Sequence, residues 1–299
     1  MTSLVRSQPR KLGNLPVVGP IAYGQWRLES QEVDRARELV EAALEAGMNL
    51  IDTADIYGFD GQHGFGDAEQ MLGAVLASTP SLRDRMVLAT KGGITPPTPY
   101  NSSPEWLTTA CEASLRRLQT DRIDLYQVHR PDSYTHPEAV AETLTNLRES
   151  GKVREVGVSN YTVRQTEALQ RFLDFPLATT QPEFSAVELG PMRDGTLDYS
   201  MANGTVPLAW SPLAGGALAT GHGLSSELLD VLDRLAEREG LERSHIALAF
   251  VLSHPAGVIP IVGTQKVARI GASLRALDVH LDREDVYAIV QASDGAPLP

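Results

Sequence analysis

Four residues have the types and spacing to do chemistry: Asp52, Tyr57, Lys91 and His129. Each stands at or just past the end of a short apolar run. Asp52 falls at the end of MNLIDT, Tyr57 follows five residues later in IDTADIYG, Lys91 ends RMVLATK and His129 ends RIDLYQVH. A free tyrosine titrates at about 10, too high for efficient proton exchange near neutrality, and a neighbouring ammonium lowers that value by favouring the phenolate. Lys91 is suited to do this for Tyr57. An ammonium at the end of an apolar run is costly to bury without a carboxylate, and Asp52 is its natural partner. His129, donating a hydrogen bond, could orient a substrate oxygen and stabilise charge developing on it. Together these are the parts for proton transfer to a carbonyl oxygen.

Each residue also has a plainer reading. Asp52 could cap the turn that follows it, and Tyr57 beside Gly58 could be a surface aromatic. A lone histidine is more often a satisfied core residue, and His63, His136, His222, His245, His254 and His280 are read that way or as solvent-exposed. Position raises His129 above them. Lys91 is the hardest to dismiss, for the reason of burial cost. Cys111 lies on the apolar stripe of its segment and reads as a small buried hydrophobe.

The elements that must position these residues alternate in type. Apolar, β-branched runs at 16–23, 48–53, 85–91, 122–129, 152–159, 177–182, 205–210 and 257–263 read as strands. Between and after them, apolar residues recur at helical spacing over about 33–46, 67–78, 103–118, 137–149, 162–172, 225–239, 266–276 and 283–292. Ser103-Pro104-Glu105 supplies an N-cap, a first-turn Pro and an early acid, and Gly47, Gly151 and Gly240 follow helical runs as left-handed C-caps do. Strands joined by helical crossovers run parallel, and eight of them closed in a ring make a (β/α)8 TIM barrel of the α/β class, with an open doubly wound sheet as the competitor. A Rossmann sheet should show G-x-G-x-x-G directly after its first strand. The Gly clusters at 58–66 and 215–223 have other spacing and follow later strands. In a barrel the chemistry gathers at the C-terminal strand ends. There stand Asp52, Lys91, His129, Ser159-Asn160, Gln181, Trp210-Ser211 and Gly263-Thr264.

Composition narrows the class further. The 299 residues are 42 % hydrophobic and 21 % charged, which excludes disordered, collagen-like and membrane classes. With no linker-like stretch and no repeat, residues 1–299 read as one domain. Lys plus Arg total 26 against 38 Asp plus Glu, a formal net charge of −12 that argues against a nucleic-acid partner. One cysteine excludes an internal disulfide framework and any Cys-rich zinc site. The N-terminal MTSLVRSQPRKLGN has no apolar run of the length a secretory signal needs, and the longest apolar run, IALAFVL at 246–252, is far short of a membrane span, so the expectation is a soluble, cytoplasmic protein without a membrane partner. The oligomeric state is not legible, and a monomer is compatible with the sequence.

Asp52, Tyr57, Lys91 and His129, in this order, resemble the catalytic tetrad of the aldo-keto reductase superfamily. The resemblance extends in register over nearly the whole chain, through IDTADIYG (51–58), VLATKGG (87–93), DLYQVHRPD (124–132), LRESGKVREVGVSNYT (147–162), AWSPLAGG (209–216) and PIVGTQKVARI (260–270). It implies a barrel opened by a short N-terminal β-hairpin around 4–15, NADPH (NADP+) lying across the rim, no metal, and reduction of an aldehyde or ketone to the alcohol. By the same resemblance Ser159, Asn160 and Gln181 hold the nicotinamide carboxamide, and Trp210 takes the place of a Tyr that stacks on the ring. Ser211, Leu213 and Gly216 fall in the pyrophosphate strap, Gly24, Gln25, Trp26, Asp52 and Gln265 line the cofactor, and Thr264 and Arg269 match positions that contact its 2′-phosphate. Gly263 stands where many members have Lys, Ser273 where an Asn contacting adenine is common, and Gln25 where Thr is frequent; Lys266 could compensate for the lost Lys. A small carbonyl substrate would be chosen by Trp26, by the loop from Phe59 to Gly66, by the loop after Lys91 and by the C-terminal tail.

Two other functions compete. A cofactor-binding sensor with little turnover keeps the same barrel, and the complete tetrad argues for catalysis instead. A metal-dependent barrel hydrolase wants several histidines at strand ends, commonly as H-x-H, and only one strand here ends in His.

Overall fold

A computed structural model describes residues 2–28 and 32–298. Eight strands pair only in parallel and close into a barrel in sequence order: β1 Ala22–Gly24, β2 Leu50–Asp52, β3 Val87–Gly92, β4 Ile123–Val128, β5 Val153–Ser159, β6 Thr179–Gln181, β7 Val206–Ala209 and β8 Ile259–Val262. The helices are α1 Val33–Glu45, α2 Asp67–Ser78, α3 Pro104–Leu118, α4 Pro137–Glu149, α5 Val163–Gln170, α6 Thr196–Asn203, α7 Ala217–Thr220, α8 Ser226–Glu239, α9 Arg243–Leu252, α10 Val267–Ala272 and α11 Arg283–Asp294. This is the TIM barrel that the alternation of runs predicts.

Side-chain alternation divides the core in two. Ala22, Leu50, Val87, Ala89, Leu125, Leu208, Ile259 and Ile261 fill the barrel with Leu12, Leu15 and Val18 from the N-terminal segment. Their neighbours in sequence, among them Ile51, Leu88, Tyr126 and Val156, face the opposite way and pack with helical residues such as Leu39, Leu72, Leu107 and Leu144. Period-two alternation on strands buried on both faces gives this result.

Four local features differ from the sequence reading. The first strand is confined to Ala22–Gly24 rather than 16–23, because Pro16 and Pro20 have no N–H to give to a ladder. The N-terminal hairpin shrinks to one antiparallel bridge, in which Arg10 and Val18 exchange both backbone bonds at 2.9 and 2.8 Å, with Pro9 and Pro16 nearby limiting its growth. The 266–276 segment divides into α10 and a 3₁₀ turn over Ser273–Asp278. Helices α6, α7 and α9 have no counterpart in the sequence reading. In α9 every residue from His245 to Leu252 is buried, so its apolar run lacks the one-sided periodicity that identifies a surface helix.

Register sets the strand ends level. Gly24 pairs with Asp52, Asp52 with Ala89, Lys91 with Gln127 and Ser159 with Gln181. The polar residues that end these strands therefore meet at one mouth of the barrel.

Candidate active site

Lys91, the penultimate residue of β3, is completely buried. Its ammonium donates to Asp52 Oδ2 at 2.7 Å, to the Thr53 carbonyl at 2.8 Å and to Tyr57 Oη at 3.1 Å, which uses all three of its hydrogens. Asp52 Oδ1 accepts from Gln181 Nε2 at 2.9 Å. Tyr57, in the loop after β2, accepts from Lys91 and so keeps its own O–H to give away. His129, directly after β4, is anchored by its backbone N–H on the Gly92 carbonyl at 2.8 Å, and its ring lies edge-on to Tyr57 with centroids 5.8 Å apart.

The electrostatics differ from the sequence expectation at Tyr57. Lys91 does pull the phenol down, but burial outweighs it and Asp52 and Asp55 add to the upward push, so the pKa lies above the usual tyrosine value. Tyr57 is therefore a protonated phenol at neutral pH, an acid by default. Burial works to lower the Lys91 ammonium, and Asp52 and Tyr57 more than offset it, leaving it raised and charged. Burial, with Lys91 and Arg130 adding to it, drives His129 well below the ordinary histidine value, so the imidazole is neutral and has one N–H to donate.

A second chain of hydrogen bonds starts from Gln181. Ser159 Oγ donates to the Gln181 carbonyl at 3.0 Å and accepts from Asn160 Nδ2 at 2.9 Å. Asn160 Nδ2 also donates to the His129 carbonyl at 3.2 Å, and Trp210 Nε1 donates to Asn160 Oδ1 at 3.0 Å. Residues from β2 through β7 thus form one connected site. The donor set suits a planar, amide-bearing ring: an indole face from Trp210, and unused hydrogen-bonding capacity on Asn160 Oδ1 and on the Gln181 amide. Among the described residues no cluster of His, Cys, Asp or Glu could hold a metal ion, and no helix is long and apolar enough to cross a membrane.

Other residues singled out from sequence lie around this centre. Gln25 is buried beside β2, donating its backbone N–H to the Asp52 carbonyl at 2.9 Å, and its side-chain amide finds no partner among the described residues. Trp26 is 60 % exposed with the Arg27 guanidinium 5.1 Å from its ring centre. After β7, Ser211, Ala214, Gly215 and Gly216 all have positive φ, so the loop carrying Leu213 coils tightly. Gly263, Thr264, Gln265 and Arg269 form a separate group at the end of β8 and the start of α10, and the Ser273 hydroxyl is taken by the Arg269 carbonyl at 2.8 Å. Cys111 is buried, and burial pushes its thiol up to about 12.

The sequence reading passed over several participants. Asp55 lies inside IDTADIYG, where its motif drew attention only to Asp52 and Tyr57. It is fully buried with no side-chain hydrogen bond to its carboxylate, and burial first, then Glu69, raises its pKa well above the usual value against weaker pulls from Arg117 and the Ile56 N–H. Arg130 extends over the Trp210 ring at 6.0 Å, and Arg35 of α1 donates to the Gln265 carbonyl at 2.9 Å. The Thr53 carbonyl that holds Lys91 is a backbone group, for which no side-chain signal exists.

Known proteins share both sequence and architecture with this chain. The family model described as Aldo/keto reductase family matches residues 20–294. A 6-dehydroglucose reductase of Novosphingobium aromaticivorans is 49 % identical over 294 residues, covering 97 % of each chain. Another 6-dehydroglucose reductase, from Agrobacterium fabrum, is 34 % identical over 92 % of this chain and 94 % of its own. The crystal structure of an aldo/keto reductase from Klebsiella pneumoniae in complex with NADP and acetate superposes with a TM-score of 0.79 at 27 % identity, covering 98 % of this chain and 97 % of that one. A closed parallel barrel with these residues at its mouth, matched along nearly its full length, makes this chain a member of the aldo/keto reductase family.

Proposed function

We propose that the protein is an NADPH-dependent reductase that converts the aldehyde group of an oxidised sugar to the primary alcohol. The observation that carries this reading is the buried Lys91 ammonium shared between Asp52 and Tyr57. The sugar aldehyde rests on similarity to the two 6-dehydroglucose reductases. NADPH rests on the complex of the Klebsiella relative and on the residues that fit the group.

When bound, the reduced nicotinamide supplies the hydride that adds to the carbonyl carbon. The residues of this chain do the rest. Tyr57, kept protonated by burial, gives its proton to the carbonyl oxygen as negative charge develops there. Lys91 stabilises the phenolate left behind, and Asp52 holds Lys91 in place. Neutral His129 donates to the same oxygen and fixes the carbonyl relative to Tyr57. Ser159, Asn160 and Gln181 would hold the carboxamide, and Trp210 would present a face to the ring. Gly24, Gln25 and Trp26 would line the cofactor, and the coiled loop with Ser211, Leu213 and Gly216 would strap its pyrophosphate. Thr264 and Arg269 would hold the 2′-phosphate, with Lys266 able to compensate for the Lys missing at Gly263, and Gln265 and Ser273 would line the cofactor nearby.

The test is NADPH oxidation by the purified protein with 6-dehydroglucose and with simple aldehydes. Turnover that favours the sugar aldehyde and falls by about 10²-fold or more in Tyr57→Phe supports the reading. Tight NADPH binding without turnover of any carbonyl would overturn it in favour of a sensor.

A further inference from the structure

The loop 94–101, which follows β3, doubles back on itself: the Asn101 N–H donates to the Gly93 carbonyl at 3.0 Å, and Thr95 bridges Thr98. Its two ends lie side by side at a neck formed by Gly93 and the buried Ser102. Pro96, Pro97 and Pro99 fix their own φ and have no N–H, so the loop is stiff and has few donors with which to hold a position. Among the described residues, a single hydrogen bond ties the 94–103 stretch to a neighbouring loop: the Ser102 N–H donates to Asp132 Oδ2 at 2.9 Å. Asp132 is itself fixed within the loop that follows His129. Its Oδ2 also accepts from Thr135 Oγ1 at 2.7 Å, and its Oδ1 accepts from the Tyr134 N–H at 2.9 Å. Burial works against the charge of Asp132, and these hydrogen bonds outweigh it, which holds the carboxyl below the usual carboxylate range.

The loop is one wall of a cleft of about 410 Å³, with Thr95, Pro96 and Pro97 on one side, Phe59, Gln62 and Phe65 on the other, and Trp106 beside them. Phe59 stands two residues after Tyr57 and Thr95 four after Lys91, so the cleft flanks the tetrad. Among the described residues no hydrogen bond joins its two walls, and the stiff wall turns on its neck. We propose that Asp132 is a positioning residue for substrate choice: by holding the neck at Ser102 it sets where the 94–101 loop stands, and so the width of a cleft that takes the part of the substrate beyond the carbonyl. This rests on the reductase reading and deepens it by naming the cleft and the residue that sets it. Aromatic and proline walls with polar points at Gln62 and Thr95 suit the C–H face of a sugar ring that carries the aldehyde. An aldehyde of two carbons reaches neither wall.

Two variants of the full chain test the proposal. Asp132→Asn meets its donors with one oxygen and an NH₂ in place of two oxygens, and Ser102→Pro removes the N–H from the other side of the contact. With NADPH, both should lower kcat/KM for 6-dehydroglucose by about tenfold or more, chiefly through KM, while kcat/KM for glycolaldehyde and NADPH affinity stay within about twofold. Hydrogen–deuterium exchange of peptides covering 93–103 should be faster in Asp132→Asn by about tenfold or more. Equal losses with the two aldehydes would mean a general structural role and would overturn the proposal, as would unchanged exchange or an unchanged preference between the aldehydes; the reductase reading would stand in each case. A parent protein that does not reduce the sugar aldehyde would remove the proposed function, and this inference with it. Far-UV circular dichroism checks that each variant is folded, and one variant in each loop keeps the outcome decisive if the other is not.

Discussion

Lys91 connects charge, proton and backbone in one buried ammonium, so removing it should separate chemistry from cofactor binding. Lys91→Met is expected to slow the chemical step by about 10²- to 10⁴-fold with NADPH affinity changed by less than about threefold; single-turnover rates and a binding titration check this, and an unchanged rate would remove Lys91 from the mechanism. Asp55, close enough to influence both Lys91 and Tyr57, makes a different prediction. Its native pKa is raised, so the native state keeps a proton that the unfolded chain releases at about 3.9. Above that pH the native state binds more protons than the unfolded one, and stability therefore falls as pH rises toward the native pKa. Asp55→Asn removes this dependence. The variant should be more stable than the parent by about 1 kcal/mol or more at pH 7, with the difference vanishing near pH 4. Urea melts across that range measure it, and a pH-independent difference would mean that Asp55 is ionised in the fold. None of this was legible from IDTADIYG, because the sequence displays a carboxylate and not the partners that burial denies it.

At the scale of elements, α2 and α3 cross backbone to backbone behind the site. A Cβ on Gly73 of α2 would lie 1.9 Å from the Arg117 carbonyl oxygen of α3. The same crossing is pinned by Glu69, which accepts from Thr90 of β3 at 2.5 Å and pairs with Arg117 of α3 at 2.6 Å. Gly73→Ala would gain up to about 1 kcal/mol in helix propensity, but the carbonyl cannot step aside as a flexible side chain could. The expected net effect is a loss of about 1–3 kcal/mol in stability, read from denaturant unfolding; a stabilised variant would show that the helices can separate without cost. Legibility at this scale followed amphipathicity. Segments with one wet face, such as α3, α4 and α8, end within a residue or so of the ranges read from spacing. Helix α9 has no wet face and escaped, and β1 was overextended because Pro16 and Pro20 join an apolar run without joining its ladder.

Over the whole molecule, barrel closure is what turns scattered strand ends into a site: Asp52 and Gln181 are 129 residues apart in sequence and 2.9 Å apart in space. A ligand that spans such a mouth stabilises every strand it touches. NADPH at about a hundred times its dissociation constant should therefore add about 2.7 kcal/mol to unfolding stability. Arg269→Ala should lower that gain for NADPH and leave the corresponding gain for NADH unchanged, because only the former carries a 2′-phosphate for the guanidinium to hold. Thermal melts with each nucleotide distinguish this from a structural arginine, for which both gains would shrink equally. The sequence by itself determined the order and type of most elements and the polar residues at the strand ends, since periodicity and the signatures of Gly and Pro are local properties that one segment displays alone. Only the tertiary structure decided that burial raises the Tyr57 phenol, that the Asp55 carboxyl is buried with no side-chain hydrogen bond, and that the Trp210 indole N–H donates to Asn160. Desolvation and hydrogen-bond direction depend on which distant groups surround an atom, and no stretch of sequence carries that information until the barrel has closed.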